Sequence, residues 1–375
     1  MRYRRFGKTE MLMSVFSFGA MRFLESEENA IATIKAAIDY GINHLETAKG
    51  YGKSEEYIGA AFKAGLHKLR DRLLITTKIT PTWDAQTMRD LIQRSLQRLN
   101  ISYIDNFDIH GINTWEHIEM VQKPDGCMQA VREAIDQGII RHVGFSTHGP
   151  LAVILAAIET DLFESINLHY YYFNQHNEPA VQLADQKDMG VFIISPSDKG
   201  GMLYTPPEKL KQLCAPYTPI EFNDRFLLAD PRVHTLSLGA ANPDQFTSHA
   251  LAWDNDQPMD AQELEILQRM NQNYLSLGSD RCAQCFECLP CPEVINIPEV
   301  LRLRNMAVAF GMEEFGKYRY KMFENAGHWF PGTKANKCTE CGDCLPRCPE
   351  KLDIPKLLFD THDRLYTKEG KRLWG

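Results

Sequence analysis

Long apolar runs are missing from this 375-residue chain. None approaches the roughly 20 apolar residues that cross a bilayer, so a membrane span is not expected. A secretory leader is not expected either: Met1-Arg2-Tyr3-Arg4-Arg5-Phe6 is basic, but no apolar stretch follows it. The expectation is a cytoplasmic protein. There is no basic surplus. Net charge is −8, with 26 basic against 36 acidic residues up to Asp280 and 15 against 13 from Arg281 onward. That balance argues against a nucleic-acid partner. The slightly positive C-terminal part would suit an acidic protein partner, although ordinary solvated surface charge is the better explanation. A glycine-rich phosphate loop after the first strand is also lacking, since Gly19-Ala20-Met21 is too sparse. This counts against an open doubly wound sheet.

Cysteine, by contrast, is concentrated. Eight of the ten cysteines fall in two runs, Cys282, Cys285, Cys288, Cys291 and Cys338, Cys341, Cys344, Cys348, each ending in Cys-Pro. The second has the C-x2-C-x2-C-x3-C-P spacing of cluster-binding ferredoxins. A thiolate at every third residue wraps three corners of one iron–sulfur cube, and the fourth usually ligates the other cube. On this logic Cys282, Cys285, Cys288 and Cys348 hold one 4Fe–4S cluster, and Cys338, Cys341, Cys344 and Cys291 hold a second. Zinc and disulfides are the competing readings. Zinc usually needs only two separated C-x2-C pairs, and disulfides do not suit a chain without a secretory leader. The first run has two residues, not three, before its last cysteine, with Pro290 placed to bend the chain there. Cys127 and Cys214 lie outside the runs and read as ordinary thiols.

Ahead of the cysteines, a hairpin over 3–14 precedes alternating strand and helix patterns. Strands are predicted over 14–21, 42–47, 73–79, 104–110, 141–147, 165–170, 191–196 and 233–240. Helices are predicted over 27–40, 54–64, 84–99, 128–137, 151–159 and 178–188. Eight such units in about 250 residues predict a (β/α)8 TIM barrel. The expected division is a barrel over 1–253, a linker and connecting helix over 254–280, and a small mostly α-helical iron–sulfur domain over 281–375. That last part contains a repeat: each cysteine run leads through Cys-Pro-Glu to an Ile-Pro helix start, with Asn296 and Asp353 as N-caps. It resembles the α-helical ferredoxin module.

In a TIM barrel the active site lies at the C-terminal strand ends. Glu46, Tyr51, Lys78 and His110 fall there. Together they make a proton-donating site for carbonyl reduction: Lys78 is expected to lower the Tyr51 pKa, Glu46 to hold Lys78, and His110 to hydrogen-bond the substrate oxygen or relay the proton. Trp83, Trp115 and His148 are candidate pocket walls, and the run His169-Tyr170-Tyr171-Tyr172-Phe173 is expected to pack in the core or at the rim.

At these residues the chain resembles the aldo-keto reductase family. The stretches that carry the resemblance are Gly41-Ile42-Asn43-His44-Leu45-Glu46-Thr47-Ala48, Tyr51-Gly52-Lys53-Ser54-Glu55, Thr77-Lys78, Asp108-Ile109-His110, Gly144-Phe145-Ser146, Ser195-Pro196 and Gly239-Ala240-Ala241-Asn242-Pro243-Asp244-Gln245. The resemblance implies Tyr51 as general acid, and nicotinamide contacts at Ser146, Asn167, Ser195, Gly239, Asn242 and Gln245. The cofactors expected are therefore two 4Fe–4S clusters and NADP(H) or NAD(H). Three positions depart from the family pattern: Glu46 replaces Asp, Ile194 replaces an aromatic, and no basic residue follows the eighth strand. The function expected is an oxidoreductase acting on a small-molecule carbonyl or related group, linked to NAD(P)H, to a one-electron partner such as ferredoxin, or to both. The alternative is a redox-sensing or regulatory nicotinamide-binding module with little turnover.

Overall fold

Strand β1 (Tyr3–Arg5) pairs antiparallel with β2 (Leu12–Ser14), as the hairpin pattern predicts. The computed structural model describes residues 1–255 and 257–368. Eight parallel strands then close into a barrel: β3 (Phe16–Gly19), β4 (His44–Glu46), β5 (Leu74–Ile79), β6 (Ile104–His110), β7 (Ile140–Ser146), β8 (Ser165–Leu168), β9 (Gly190–Ile193) and β10 (Thr235–Leu238), with β10 pairing back onto β3. The predicted TIM barrel is thus the observed fold. Several strands are shorter than their apolar runs, because the residues past each strand end turn aside to form the mouth.

Helices between the strands are α1 (Glu27–Asp39), α2 (Ser54–Lys63), α3 (Ala85–Leu99), α4 (Trp115–Gln122), α5 (Cys127–Asp136), α6 (Leu151–Glu159), α7 (Glu178–Gln186), α8 (Glu208–Cys214) and α9 (Pro219–Leu228). Local chemistry sets their ends. Asp84 caps α3 by accepting from the Thr87 N–H, and Asn100 closes it in the left-handed conformation.

The sequence of β6 shows how the barrel is filled. Phe107 and Ile109 are buried among apolar residues, while Asn106 and Asp108 are equally buried but hydrogen-bonded. Each polar atom needs a partner there, since an unmet one costs about 1–3 kcal/mol. Asp108 accepts from Asn106 Nδ2 at 2.8 Å and from Asn167 Nδ2 at 2.7 Å. Asn167 lies on β8, one strand beyond the neighbour β7. Gly144 on β7 makes this reach possible: a Cβ there would stand 2.5 Å from Asp108 Oδ1 and 2.1 Å from Ser165 Oγ. A second polar chain links the hydroxyls of Thr235, Ser17 and Thr76 through the His44 ring. Burial, with help from Lys78, lowers the His44 pKa to about 3, so the ring is neutral.

The chain divides into two units: Met1–Gly200 with Asn223–Pro258, and Gly201–Phe222 with the chain from Met259 onward. The second unit therefore includes a segment that the expected boundary at 253 assigned to the barrel. Its later helices are α10 (Ala261–Leu275), α11 (Ile297–Phe310), α12 (Glu313–Tyr320) and α13 (Ile354–Leu365). Asp260 and Glu263 form a capping box at α10. Asn296 and Asp353 cap α11 and α13, each followed by a proline in the first turn. Among the described residues no helix is long and apolar enough to cross a membrane.

Candidate active site and cysteine cradles

The C-terminal strand ends of the barrel surround a cleft of about 490 Å³. Glu46, Tyr51, Lys78 and His110 all line it. Cross-strand register explains the convergence: Gly19 pairs with Glu46, and Lys78 with Asp108. Lys78 is buried, ion-paired with Glu46, and 3.0 Å from the Thr47 carbonyl oxygen. Its Nζ lies 5.0 Å from the centre of the Tyr51 ring. The His110 ring meets Tyr51 edge-on at 5.6 Å. Gly19 makes room for the Ser237 hydroxyl at the cleft, since a Cβ there would approach Ser237 Oγ to 2.4 Å.

The electrostatics differ from the expectation for Tyr51. Burial, then the Asp108 carboxylate, push its phenol above the ordinary value rather than below it. The Lys78 charge is shared with Glu46, and burial pulls the Lys78 ammonium down while Asp108 opposes that. Asp108 itself is raised by burial, against the stabilising pull of Lys78, Asn106 and Asn167. Sequence reading placed Asp108 in a motif but gave it no role. Its position two residues before His110 on a buried strand was the available signal.

The expected nicotinamide contacts separate into groups. Ser146, Ser195 and Gly239 line the cleft. Ser146 Oγ accepts from the Gly111 N–H at 3.1 Å, and Ser195 stands in the left-handed region with φ +48°. Asn167 is bonded to Asp108 inside the barrel. Asn242 caps the short helix Pro243–Ala252, and Gln245 Oε1 accepts from the Ala241 N–H at 2.9 Å. Two cations that sequence reading did not single out, Arg22 and Lys199, also line the cleft. Arg22 donates to the Gly239 carbonyl at 2.9 Å. No spacing rule in the sequence marks either one. Of the candidate walls, His148 lines the cleft, whereas Trp83 and Trp115 are exposed.

In the second unit the two cysteine runs share one backbone design. Gln284 and Phe286 have φ of 61° and 65°, and the matching Glu340 and Gly342 have 55° and 84°. Val294 and Lys351, each three residues past a run, repeat this at 56° and 53°. Alternating left-handed residues turn successive N–H groups to one side, as anion and iron–sulfur sites require. Cys291, Cys338, Cys341 and Cys344 line a common cavity of about 340 Å³. Burial raises the Cys282 thiol, and the neighbouring Cys285 and Cys348 add to the shift. The extra residue of the second run, Arg347, donates to the Pro290 carbonyl of the first at 3.0 Å. All eight cysteines are free thiols. Among the described residues no three His, Cys, Asp or Glu side chains close around a point that one metal ion could fill. Cys291, Cys338, Cys341 and Cys344 around one cavity suit a cube that holds its sulfurs apart.

A closed parallel barrel with a tyrosine, a lysine, a carboxylate and a histidine at its mouth defines the class: a barrel oxidoreductase, here joined to a cysteine-rich helical unit. The chain belongs to the aldo/keto reductase family, whose model matches residues 16–272, and a 4Fe-4S dicluster domain model matches residues 281–353. It is similar to the uncharacterized oxidoreductase YqkF of Bacillus subtilis, at 25% identity over 72% of this chain and 96% of the relative. L-glyceraldehyde 3-phosphate reductase of Escherichia coli is 28% identical over 40% of this chain and 46% of that protein. Among solved structures, the holo form of aldo-keto reductase AKR11C1 from Bacillus halodurans superposes with a TM-score of 0.62, at 24% identity over 72% of this chain and 96% of the other. That likeness concerns the fold.

Proposed function

We propose that the barrel reduces a carbonyl or related group on a small molecule, and that two 4Fe–4S clusters link the chain to a one-electron partner such as ferredoxin. The observation that carries this is the buried Lys78–Glu46 pair beside Tyr51, with His110 edge-on to the same ring. Bound in the cleft, NADPH or NADH supplies hydride for the carbonyl carbon. Ser146, Ser195 and Gly239 would hold it there, with Arg22 and Lys199 as counter-charges for its phosphates; Asn167, Asn242 and Gln245 are the remaining expected contacts.

The chain's own residues manage the proton. As the carbonyl oxygen gains an electron pair, Tyr51 gives it the hydroxyl proton. A raised phenol pKa keeps that proton on Tyr51 until the oxygen becomes basic enough to take it. The Lys78 ammonium then offsets the phenolate charge, and Glu46 keeps Lys78 in place. His110 donates a hydrogen bond to the same substrate oxygen. In the second unit, Cys282, Cys285, Cys288 and Cys348 would hold one cluster, and Cys338, Cys341, Cys344 and Cys291 the other. The shared cavity of Cys291 with the second run, and the nearness of Cys348 to Cys282, support that exchange. Thiolate clusters of this kind suit a cytoplasmic location.

The test is an anaerobic assay of small aldehydes and ketones with NADH and NADPH, comparing the native protein with Tyr51→Phe. Turnover that needs the Tyr51 hydroxyl supports the proposal. Equal turnover of every accepted substrate by the variant would remove Tyr51 as the acid.

A further inference from the structure

The two cysteine loops share a backbone plan but not the residue between their first two cysteines. Gln284 precedes Cys285 in the first loop, and Glu340 precedes Cys341 in the second. Their backbones match, with φ of 61° and 55°. The other charges of the loops agree in sign: Arg281 and Lys337 stand before the first cysteine, and Glu287 and Asp343 before the third. A neutral amide in one loop is therefore set against a carboxylate in the other.

Chemistry separates what the two side chains can do. A Gln side-chain nitrogen has two hydrogens to give. Gln284 Nε2 donates to the Pro298 carbonyl at 2.6 Å, in the first turn of α11, and to Cys282 Sγ at 3.8 Å. Cys282 is itself held: its carbonyl accepts from Asn305 Nδ2 at 2.9 Å and from the Tyr274 hydroxyl at 3.3 Å. The amide thus meets a fixed sulfur. Glu340 lines the cavity of Cys338, Cys341 and Cys344, and a carboxylate has no hydrogen to donate. Hydrogen bonds to the sulfurs and nearby net charge both set a cluster's reduction potential. A donor on a ligating sulfur favours the more negative, reduced state, and a neighbouring anion disfavours it.

Two features of the second loop work the other way. Glu340 is exposed whereas Gln284 is half-buried, and water also favours the reduced state. Arg347 lines the same cavity as Glu340. Its guanidinium, however, is turned onto the Asp343 and Pro290 carbonyl oxygens at 2.8 and 3.0 Å, whose dipoles offset its charge.

We propose that Gln284 and Glu340 pull the potentials of the two clusters apart. Gln284 raises that of the cluster at Cys282, Cys285, Cys288 and Cys348. Glu340 lowers that of the other, so the first is reduced before the second. This rests on the cluster assignment given above. Each cluster takes one electron from a one-electron donor such as reduced ferredoxin, and no bond forms or breaks. Neither residue is a ligand; both act on the group that the cysteines hold.

The test is an anaerobic potentiometric titration of the full-length, cluster-loaded protein with dithionite, followed by EPR and by visible bleaching. Iron is measured on the same samples. The native protein should show two one-electron steps whose equilibrium constants differ at least about tenfold, which is about 59 mV. Repulsion between two reduced clusters also splits the steps, so the decisive arms are isosteric exchanges that leave it unchanged. Gln284→Glu should narrow the gap by lowering the upper step. Glu340→Gln should narrow it by raising the lower step. A step that stays in place, or a gap that widens, in either variant with full iron overturns the proposal. If one exchange does not hold its iron, the other decides alone. Iron loss from both would show that the pair secures the clusters rather than tunes them, and overturns it too. A native protein far below about eight irons per chain sinks the cluster reading, and the proposal with it.

Discussion

In the barrel, Glu46 and Tyr51 come from the end of β4 and the loop after it, Lys78 from β5 and His110 from β6, and they meet only because β4, β5 and β6 pair in one register. In the second unit, Cys338, Cys341 and Cys344 meet because they are three residues apart and the loop between them bends through positive φ at Glu340 and Gly342. The barrel places its site by packing that exists whether or not a ligand binds. The cysteine loops hold left-handed non-glycine residues at Gln284, Phe286 and Glu340 that cost about 1–2 kcal/mol each, and the proposed clusters would supply the compensating bonds. On that reading one region is a preformed site, and the order of the other is linked to its cofactor.

Removing the clusters should have the largest effect and strike only one side of this contrast. Anaerobic chelation of iron should open the loops at 282–291 and 338–348 to protease while the barrel stays resistant; equal resistance before and after would show that the loops are ordered without iron. Next in size is Tyr51→Phe, which should lower carbonyl turnover about 10²–10⁴-fold and leave iron content at about eight per chain. Iron loss in that variant would mean that the two regions are not independent. Smaller again is Gly144→Ala. The new methyl would press on Asp108 and Ser165, and overpacking of this kind costs about 1–3 kcal/mol, read as a lower denaturant midpoint. The effect of acid is spread over several pH units. His44 is neutral in the folded barrel with a pKa of about 3, against 6.5 as its ordinary value. Below pH 6.5 the unfolded chain binds a proton that the folded barrel does not. Stability should then fall by up to about 1.4 kcal/mol per pH unit, until the pH reaches the folded pKa. His44→Asn should flatten that part of the profile relative to the native protein.

The same contrast explains what could be read from the sequence. All eight barrel strands were legible, because buried parallel strands form short apolar runs between amphipathic helices. Glu46, Tyr51, Lys78 and His110 were legible because each falls at or just past a strand end. The cysteine runs were legible from spacing alone. What lay beyond reach depends on which side chain turns toward which. Asn167 fits an expected cofactor contact, yet it donates to Asp108 across an intervening strand. The Tyr51 pKa moves opposite to the expectation because the phenol is buried and stands near the Asp108 carboxylate. The aromatic run after β8 was expected to be packing, and most of it is, but His169 also bonds to Tyr171 and to His148, which lines the cleft. The segment Gly201–Phe222 belongs to the second unit although it precedes β10 in the chain. Neither periodicity nor spacing encodes such long-range membership.

The central claim is that the Tyr51 mouth reduces a carbonyl with hydride from a nicotinamide. It is tested most directly by one anaerobic turnover with nicotinamide dideuterated at its hydride-bearing carbon, followed by mass spectrometry of the alcohol. One deuterium on the former carbonyl carbon is the expected result, with no product from Tyr51→Phe over the same interval. An alcohol carrying only solvent hydrogen at that carbon would contradict the claim.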